Sequence, residues 1–165
     1  MKGTQTAIIE GPTEDKVEFW LMPPEDMHEL ELEFHFNDDV CPYPRPPGYN
    51  GLIEDWGSRT WCNPPFKGSK MAWARKAIME WKKGKLVVLI LGSGNLSHVF
   101  EVMADVEGIE IRLKNIRWMH PDGTQNKYLY GAILFILRPK SIATPSVPSD
   151  TPIDGNRPDL QKVKE

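Results

Sequence analysis

The sequence predicts an α/β fold, and three observations support this prediction. Residues 86–91 are six consecutive aliphatic side chains, a pattern typical of a strand buried on both faces. The run ends at Gly92 and Gly94, and apolar residues at helical spacing follow. Strand-like and helix-like segments alternate over most of the chain, which favours a mostly parallel sheet with helices on both faces.

The N-terminal half contains one predicted helix and two predicted short strands, joined by a loop rich in proline and glycine. The helix begins at Pro24, where acidic residues occupy the first turn and Met27, Leu30 and Phe34 share one face. The strands and the intervening loop are assigned to residues 36–41, 60–62 and 42–51.

The C-terminal half alternates between helix and strand. Apolar residues recur at helical spacing on both sides of the buried strand, which predicts amphipathic helices near residues 71–81 and 96–103. Two further strands are predicted from residue 109 to 113 and from 129 to 137, and Pro139 ends the second.

The length of 165 residues suits one folded domain. We expect an N-terminal extension over 1–15, a folded domain over 16–140 and a disordered Pro/Ser-rich tail over 141–165. No apolar run is long enough to span a membrane, and the N-terminus lacks the apolar core of a signal peptide, so a cytoplasmic protein is expected. Cys41 and Cys62 are too few for a disulfide framework, and no metal site is predicted.

The formal net charge of −3 hides an uneven distribution along the chain. Residues 1–40 carry a net charge of −9, whereas residues 41–140 carry +7. A basic block of this size is compatible with a polyanionic partner such as nucleic acid, although solvated, lysine-rich helix faces also give a net positive charge.

The segment of chemical interest is Asn63-Pro64-Pro65-Phe66. Two prolines fix the backbone and remove two N–H donors, so carbonyl oxygens are free to accept hydrogen bonds. Asn63 adds an amide oxygen, and Phe66 adds a flat apolar face. Such a site suits an exocyclic amino group on an aromatic ring. The alternative is a rigid turn that closes an edge strand, with Phe66 filling the core.

These four residues resemble the N-P-P-[YF] motif of S-adenosylmethionine-dependent amino-methyltransferases. Their surroundings are similar to one branch, the phage and prophage DNA N6-adenine methyltransferases, whose motifs occur here in the same order. The matching segments are Trp20–Pro23, Asp39–Cys41, Gly51-Leu52, Trp61–Phe66, Lys83-Gly84 ahead of the aliphatic strand, and Arg138-Pro139. The resemblance covers about residues 18–139.

The resemblance implies a trimmed Rossmann-like methyltransferase sheet. The chain from Asp39 to Asn63 is too short for two complete α/β repeats, so the strands ending at these residues are expected side by side. The carboxyl ends of neighbouring strands are where open α/β sheets bind ligands. The residues expected by analogy to bind S-adenosylmethionine are Trp20, Pro23, Asp39, Val40, Cys41 and Pro42.

The implied activity is methylation of the N6 amine of a flipped adenine in double-stranded DNA, with Asn63 to Phe66 as the catalytic segment. The basic residues that are candidates for phosphate contacts are Lys67, Lys70, Arg112, Lys114, Arg117 and Lys127. The loop over 118–130 is a candidate for contacts to bases flanking the adenine. The sequence does not fix the oligomeric state, and a monomer is compatible with it.

Two departures from the family pattern keep alternatives open. Met22 stands where the family has a threonine whose hydroxyl would hold the cofactor carboxylate, and Gly92-Ser93-Gly94-Asn95 replaces a more usual proline-containing loop. One alternative is a methyltransferase acting on RNA or on protein glutamine. The other is an inactive relative that retains DNA binding.

Overall fold

The structure, a computed structural model of the chain, describes residues 19–140. The predicted extension over 1–15 and the predicted tail over 141–165 lie outside the described residues. The elements in chain order are α1 (Pro24–Phe34), β1 (Asp38–Asp39), β2 (Arg59–Cys62), α2 (Lys70–Lys82), β3 (Leu86–Gly92), α3 (Ser97–Met103), β4 (Glu110–Ile116) and β5 (Tyr130–Leu137). None of the helices described is long and apolar enough to cross a membrane.

The five strands form one open sheet in the order β1-β2-β3-β5-β4, so the predicted α/β class is confirmed. The mostly parallel layout is not confirmed, because the sheet is mixed. Strands β1, β2 and β3 pair in parallel, whereas β5 pairs antiparallel with both β3 and β4. The segment between β4 and β5 contains no helix, and parallel neighbours need a long crossover, so this pair runs antiparallel.

Helices cover both faces of the sheet, as the sequence predicts. The side chains of β3 alternate between two apolar clusters because successive strand residues point to opposite faces. Val87, Leu89 and Leu91 pack in the cluster that contains the buried residues of α2 and α3. Leu86, Val88 and Ile90 pack in the cluster that contains those of α1. All six side chains are buried, which explains why the strand shows no polar alternation.

The predicted adjacency of the strands ending near Asp39 and Asn63 is confirmed by their pairing, in which Asp39 lies opposite Trp61. Strand β1 is shorter than predicted because two backbone N–H groups that face it donate to its side chains and not to its carbonyl oxygens. The Asn37 side chain accepts from the Arg59 N–H at 3.0 Å, and the Asp38 carboxylate accepts from the Gly57 N–H at 2.6 Å. Strands β1 and β2 therefore end at one edge of the sheet.

Two clusters of ion pairs attach helices to the rest of the fold. In the first, the fully buried Glu80 of α2 accepts from the ammonium groups of Lys76, Lys83 and Lys85, at 2.7 to 2.9 Å. In the second, Arg112 of β4 forms a bidentate pair with Glu33 of α1, with both N···O distances at 2.6 Å. The acidic first helix is thus held against basic residues of the edge strand.

Candidate functional site

Two cavities open at the carboxyl ends of the parallel strands. One, of about 370 Å³, is bordered by Asp38, Asp39, Glu31 and Asn63, and we call it the acidic cavity. The other, of about 330 Å³, is bordered by Trp20, Phe66, Trp118 and Tyr130, and we call it the aromatic cavity. The motif Asn63 to Phe66 thus contributes its first residue to one cavity and its last to the other.

A hydrogen bond between Asn63 and Trp20 joins the linings of the two cavities. The Asn63 Nδ2 donates to the Trp20 carbonyl oxygen at 2.8 Å. A carbonyl oxygen only accepts, so the amide nitrogen must face Trp20 and the orientation of the amide is fixed by chemistry. Asn63 Oδ1 therefore points elsewhere, and no donor within residues 19–140 bonds to it. It is an acceptor available to a ligand.

The rest of the motif leaves its aromatic ring accessible. Pro64 is buried and Pro65 is half-buried, whereas the Phe66 side chain keeps 36% of its surface exposed. The Phe66 ring meets the Trp118 ring edge to face, with centroids 5.3 Å apart and planes at 83°. Phe66 thus borders the aromatic cavity and is not buried in the core, contrary to the alternative in which it serves only as a core residue.

The acidic cavity is formed largely by the end of β1. Asp39 Oδ1 accepts from the Cys41 N–H at 3.0 Å, which closes a tight turn directly after the strand. The Asp39 side chain reaches solvent, yet protein surrounds it on most sides. This desolvation raises the pKa of its carboxyl, the Cys41 hydrogen bond opposes the rise, and the Asp38 charge adds to it.

The expected cofactor residues do not all border the acidic cavity. Asp39 and Cys41 line it, as does Met22, which is almost fully buried. Trp20 borders the aromatic cavity instead. The remaining expected residues, Pro23, Val40 and Pro42, line neither cavity. Val40 is buried in the core beneath the turn, where it supports the positions of its neighbours.

The two cysteines lie against each other, with their sulfur atoms 3.9 Å apart. Cys62 is fully buried, and burial raises the pKa of its thiol well above the ordinary value. A thiol that stays protonated is a poor nucleophile, so Cys62 acts as a packed side chain between β2 and the Asp39 turn.

The loop over 118–130, predicted as a candidate for base contacts, contributes Trp118 to the lining of the aromatic cavity and places His120 against Trp20. Trp118 is 2% exposed, and its indole N–H is the one buried side-chain polar atom between residues 19 and 140 without a partner. The His120 ring packs against the Trp20 ring in a tilted arrangement, with centroids 4.2 Å apart and planes at 45°. Both belong to the segment after β4, and its approach to Trp20 depends on backbone pairing between Leu21 and Met119, which no local sequence pattern indicates.

The candidate phosphate-binding residues divide into two groups. Lys67, Arg117 and Lys127 are exposed and form no ion pair with any residue that the structure describes. The others already have partners. Lys70 donates to the carbonyl oxygens of Gly92 and Gly94, at 3.3 and 2.6 Å, while Arg112 and Lys114 pair with acidic residues of α1.

Comparisons of the chain with protein-family models, curated proteins and solved structures give no match. No cluster of three or more potential metal ligands occurs in the described part of the chain.

Proposed function

We propose that this protein is an S-adenosylmethionine-dependent methyltransferase that acts on the N6 amine of adenine in DNA. The observation that carries this proposal is the fixed orientation of the Asn63 amide. Because Nδ2 is held by the Trp20 carbonyl, Oδ1 faces away from it and is an acceptor without a donor among residues 19–140. An exocyclic amine needs an acceptor at this point, and a donor there would repel it.

The chemistry required of the protein is modest. The N6 lone pair of adenine is delocalised into the ring, so the amine is a weak nucleophile. Acceptors around N6 favour the tetrahedral geometry of the transition state and stabilise its growing positive charge. Asn63 Oδ1 and the Pro64 carbonyl are suited to accept from the two N–H bonds, and the half-exposed Phe66 ring is suited to stack on the base. No basic side chain needs to remove the proton before the methyl group is transferred.

The acidic cavity fits the cationic part of S-adenosylmethionine, whose sulfonium supplies the methyl group when the cofactor is bound. Asp39 and Asp38 offer negative charge, and Phe36 and Tyr43 offer apolar rings beside them. The fit is weaker at the carboxylate end of the cofactor, because Met22 has no hydrogen to donate and no basic residue between 19 and 140 lines the cavity. In this proposal Asp39 orients the amino acid end of the cofactor.

The topology is compatible with a trimmed methyltransferase sheet. Strands β1, β2, β3 and β4 point in the same direction, and only β5 runs against them. Both cavities lie at the carboxyl ends of β1, β2 and β3, the position that open α/β sheets use for ligands. The strand pair β4–β5 corresponds to the final pair of the family pattern and carries the segment that borders the aromatic cavity.

DNA is the favoured polymer because exposed basic residues adjoin the aromatic cavity in sequence. Lys67 follows Phe66, Arg117 precedes Trp118, and Lys127 follows Asn126. If these residues contact phosphates, binding weakens steeply as salt rises. Replacing any of them by alanine should lower the salt slope by about one unit. Lys82→Ala, which removes an exposed lysine at the end of α2, serves as the charge-matched control.

The decisive experiment supplies labelled S-adenosylmethionine together with double-stranded DNA, RNA and protein, and identifies the modified group. We expect N6-methyladenine in DNA, and its loss in Asn63→Ala with cofactor binding retained. Asn115→Ala, on an exposed position of β4, is the matched control. Label found only in RNA or on protein glutamine would overturn the choice of substrate.

A second candidate function rests on Met22. Its thioether occupies the place where the family pattern has a hydroxyl, at the wall of the acidic cavity. A protein that binds DNA but not the cofactor would result if that hydroxyl is indispensable. Calorimetry separates the two candidates: absence of cofactor binding in the wild type, restored in Met22→Thr, would favour the inactive relative.

A further inference from the structure

We propose that His120 is a positioning residue that holds Trp20 and, through the Trp20 carbonyl, the Asn63 amide in the orientation that methyl transfer requires. This inference rests on the proposed function for its kinetic consequence. Its structural part, a mechanical link from the segment after β4 to Asn63, stands on contacts between residues 19 and 140 alone.

The first part of the link is the fixation of Trp20. Leu21 and Met119 exchange two backbone hydrogen bonds, at 2.8 and 2.9 Å, which add the segment before α1 to the segment after β4 as a short antiparallel bridge. The neighbouring side chains continue this contact, because the His120 ring packs against the Trp20 ring at 45°, with centroids 4.2 Å apart. Trp20 thus has both its ring and its adjoining backbone held by consecutive residues, Met119 and His120.

The second part of the link is the rigidity of the turn that carries His120. Residues 118–126 fold back on themselves, since the His120 N–H donates to the Thr124 carbonyl and the Asn126 N–H donates to the Trp118 carbonyl, both at 2.8 Å. Asp122 closes the tip by accepting from the Thr124 N–H and hydroxyl, at 2.8 and 2.7 Å. These hydrogen bonds lower the pKa of the Asp122 carboxyl, as expected for a carboxylate that accepts from two donors.

The third part is the consequence for Asn63. Its Nδ2 has one protein acceptor, the Trp20 carbonyl, and that carbonyl keeps its direction only while Trp20 keeps its position. A displaced Trp20 would free the amide to rotate, and the rotated amide presents NH₂ where the substrate amine needs an acceptor. Small misplacements of reacting groups cost catalysis far more than they cost binding. His120 therefore acts on the rate constant through Trp20, without touching the substrate.

The first test is independent of methyl transfer. In ¹⁵N-labelled full-length protein, the Asn63 side-chain amide signal is identified by its absence in Asn63→Ala. We expect His120→Ala to shift this signal and to accelerate its exchange with solvent, and His120→Phe to leave it close to that of the wild type. An Asn63 signal that is unchanged in His120→Ala would overturn the link, whether or not the protein methylates DNA.

The second test is kinetic and uses the same variants with DNA and S-adenosylmethionine. We expect kcat to fall about tenfold in His120→Ala, with the KM for the cofactor unchanged, and to recover in His120→Phe, because an aromatic ring is all that Trp20 needs. A His120→Phe variant as slow as His120→Ala would overturn the positioning role, since the imidazole itself would then be required.

A further pair of variants, at Asp122, tests the same link if His120→Ala does not fold. Asp122 is at the solvent-exposed tip, so Asp122→Ala loosens the turn without changing any ring. We expect a smaller fall in kcat than in His120→Ala, and full activity in Asp122→Asn, whose side-chain oxygen still accepts from Thr124. Equal kcat values in Asp122→Ala, Asp122→Asn and the wild type would overturn the role of the turn. A wild type without methyl transfer would refute the proposed function and leave the signal of the Asn63 amide to decide the link.

Discussion

The polar groups near the two ends of β3 differ in whether they have partners inside the protein. Near its amino end, the Glu80 carboxylate is surrounded by three lysine ammonium groups, and Lys83 and Lys85 also bond to Asp55. Near its carboxyl end, polar groups remain without partners: the buried Trp118 indole N–H has none, and the accessible Asn63 Oδ1 has none among residues 19–140. The buried carboxylate at the first end is therefore fully paired, whereas the second end keeps one unsatisfied buried donor and one acceptor open to a ligand.

The difference separates groups that stabilise the fold from groups that a ligand would complete. A buried polar group without a partner costs about 1–3 kcal/mol, so a small domain keeps one only where it is compensated. Several basic residues follow the same division. Lys76, Lys83, Lys85, Arg112 and Lys114 pair with acids, whereas Lys67, Arg117 and Lys127, which adjoin the aromatic cavity in sequence, are exposed. The net charge of residues 41–140 therefore overstates the charge that is available to a partner.

The largest effect is expected from Asn63→Asp, because this substitution keeps an acceptor oxygen at residue 63 and removes the N–H group that donates to the Trp20 carbonyl. A carboxylate placed against the Trp20 carbonyl is repelled, so the side chain should turn away and the aligned acceptor should be lost. We expect methyl transfer to fall about 100-fold or more, as when one aligned group is removed from a transition-state site. The measurement is the single-turnover rate with DNA and saturating cofactor. A rate within threefold of the wild type would show that the Trp20 contact does not matter.

The next largest effect concerns stability at the opposite end. Glu80→Ala removes the common partner of three lysines and leaves the almost fully buried Lys76 without its carboxylate. Breaking one side of a buried ion pair costs about 3–5 kcal/mol, and we expect about 3 kcal/mol, because one of the three partners, Lys83, remains about half exposed to solvent. Urea denaturation measures the free energy of unfolding. Glu107→Ala, which removes an exposed partner of Lys140, should change it far less, and equal losses would contradict the comparison.

The same cluster predicts how stability depends on pH. Burial alone would raise the pKa of Glu80, but hydrogen bonds from Lys76, Lys85 and Lys83 outweigh it and lower the pKa to about 2. A pKa that is lower in the folded state means that this stabilisation is present above the ordinary carboxyl pKa and is lost as pH falls from about 5 towards 2. The unfolding free energy of Glu80→Gln should therefore change less steeply over this range than that of the wild type.

Local patterns in the sequence predicted the parts of the fold that depend on local periodicity. The predicted bounds are close to the observed ones for the strand that begins at Leu86 and for the helix over Lys70–Lys82. Burial on both faces of a strand gives an unbroken apolar run, and burial of one helix face gives apolar residues at helical spacing. Strand β1 was overestimated because the Asn37 and Asp38 side chains take backbone partners. The antiparallel placement of β5 between β3 and β4 is a long-range choice that periodicity does not encode.

Some residues of the candidate site can likewise be predicted from local sequence patterns, whereas others cannot. Asn63 to Phe66 were found from residue chemistry, and Asp39 from its place at a strand end. The loop over 118–130 is predicted as a candidate for base contacts, but the sequence does not single out Trp118 and His120 within it. Their contact with the site depends on the pairing of Leu21 with Met119, nearly a hundred residues apart.

The smallest expected effect tests the unpaired donor itself. Trp118→Phe removes the indole N–H and keeps an aromatic ring against Phe66, so the loss of packing is offset by the loss of an unsatisfied polar group. We expect the free energy of unfolding to change by less than about 1 kcal/mol, whereas Trp118→Ala should cost about 3–5 kcal/mol as a cavity in the core.

The two Trp118 variants together separate the ring from its N–H group. Because the indole N–H is buried and out of reach of a bound base, Trp118→Phe should leave the KM for DNA close to that of the wild type. A loss of more than about 2 kcal/mol in Trp118→Phe would mean that the N–H already has a partner inside the protein, and the contrast between the two ends of β3 would then rest on Asn63 alone. Unfolding in urea and DNA titration of the same preparations measure both quantities.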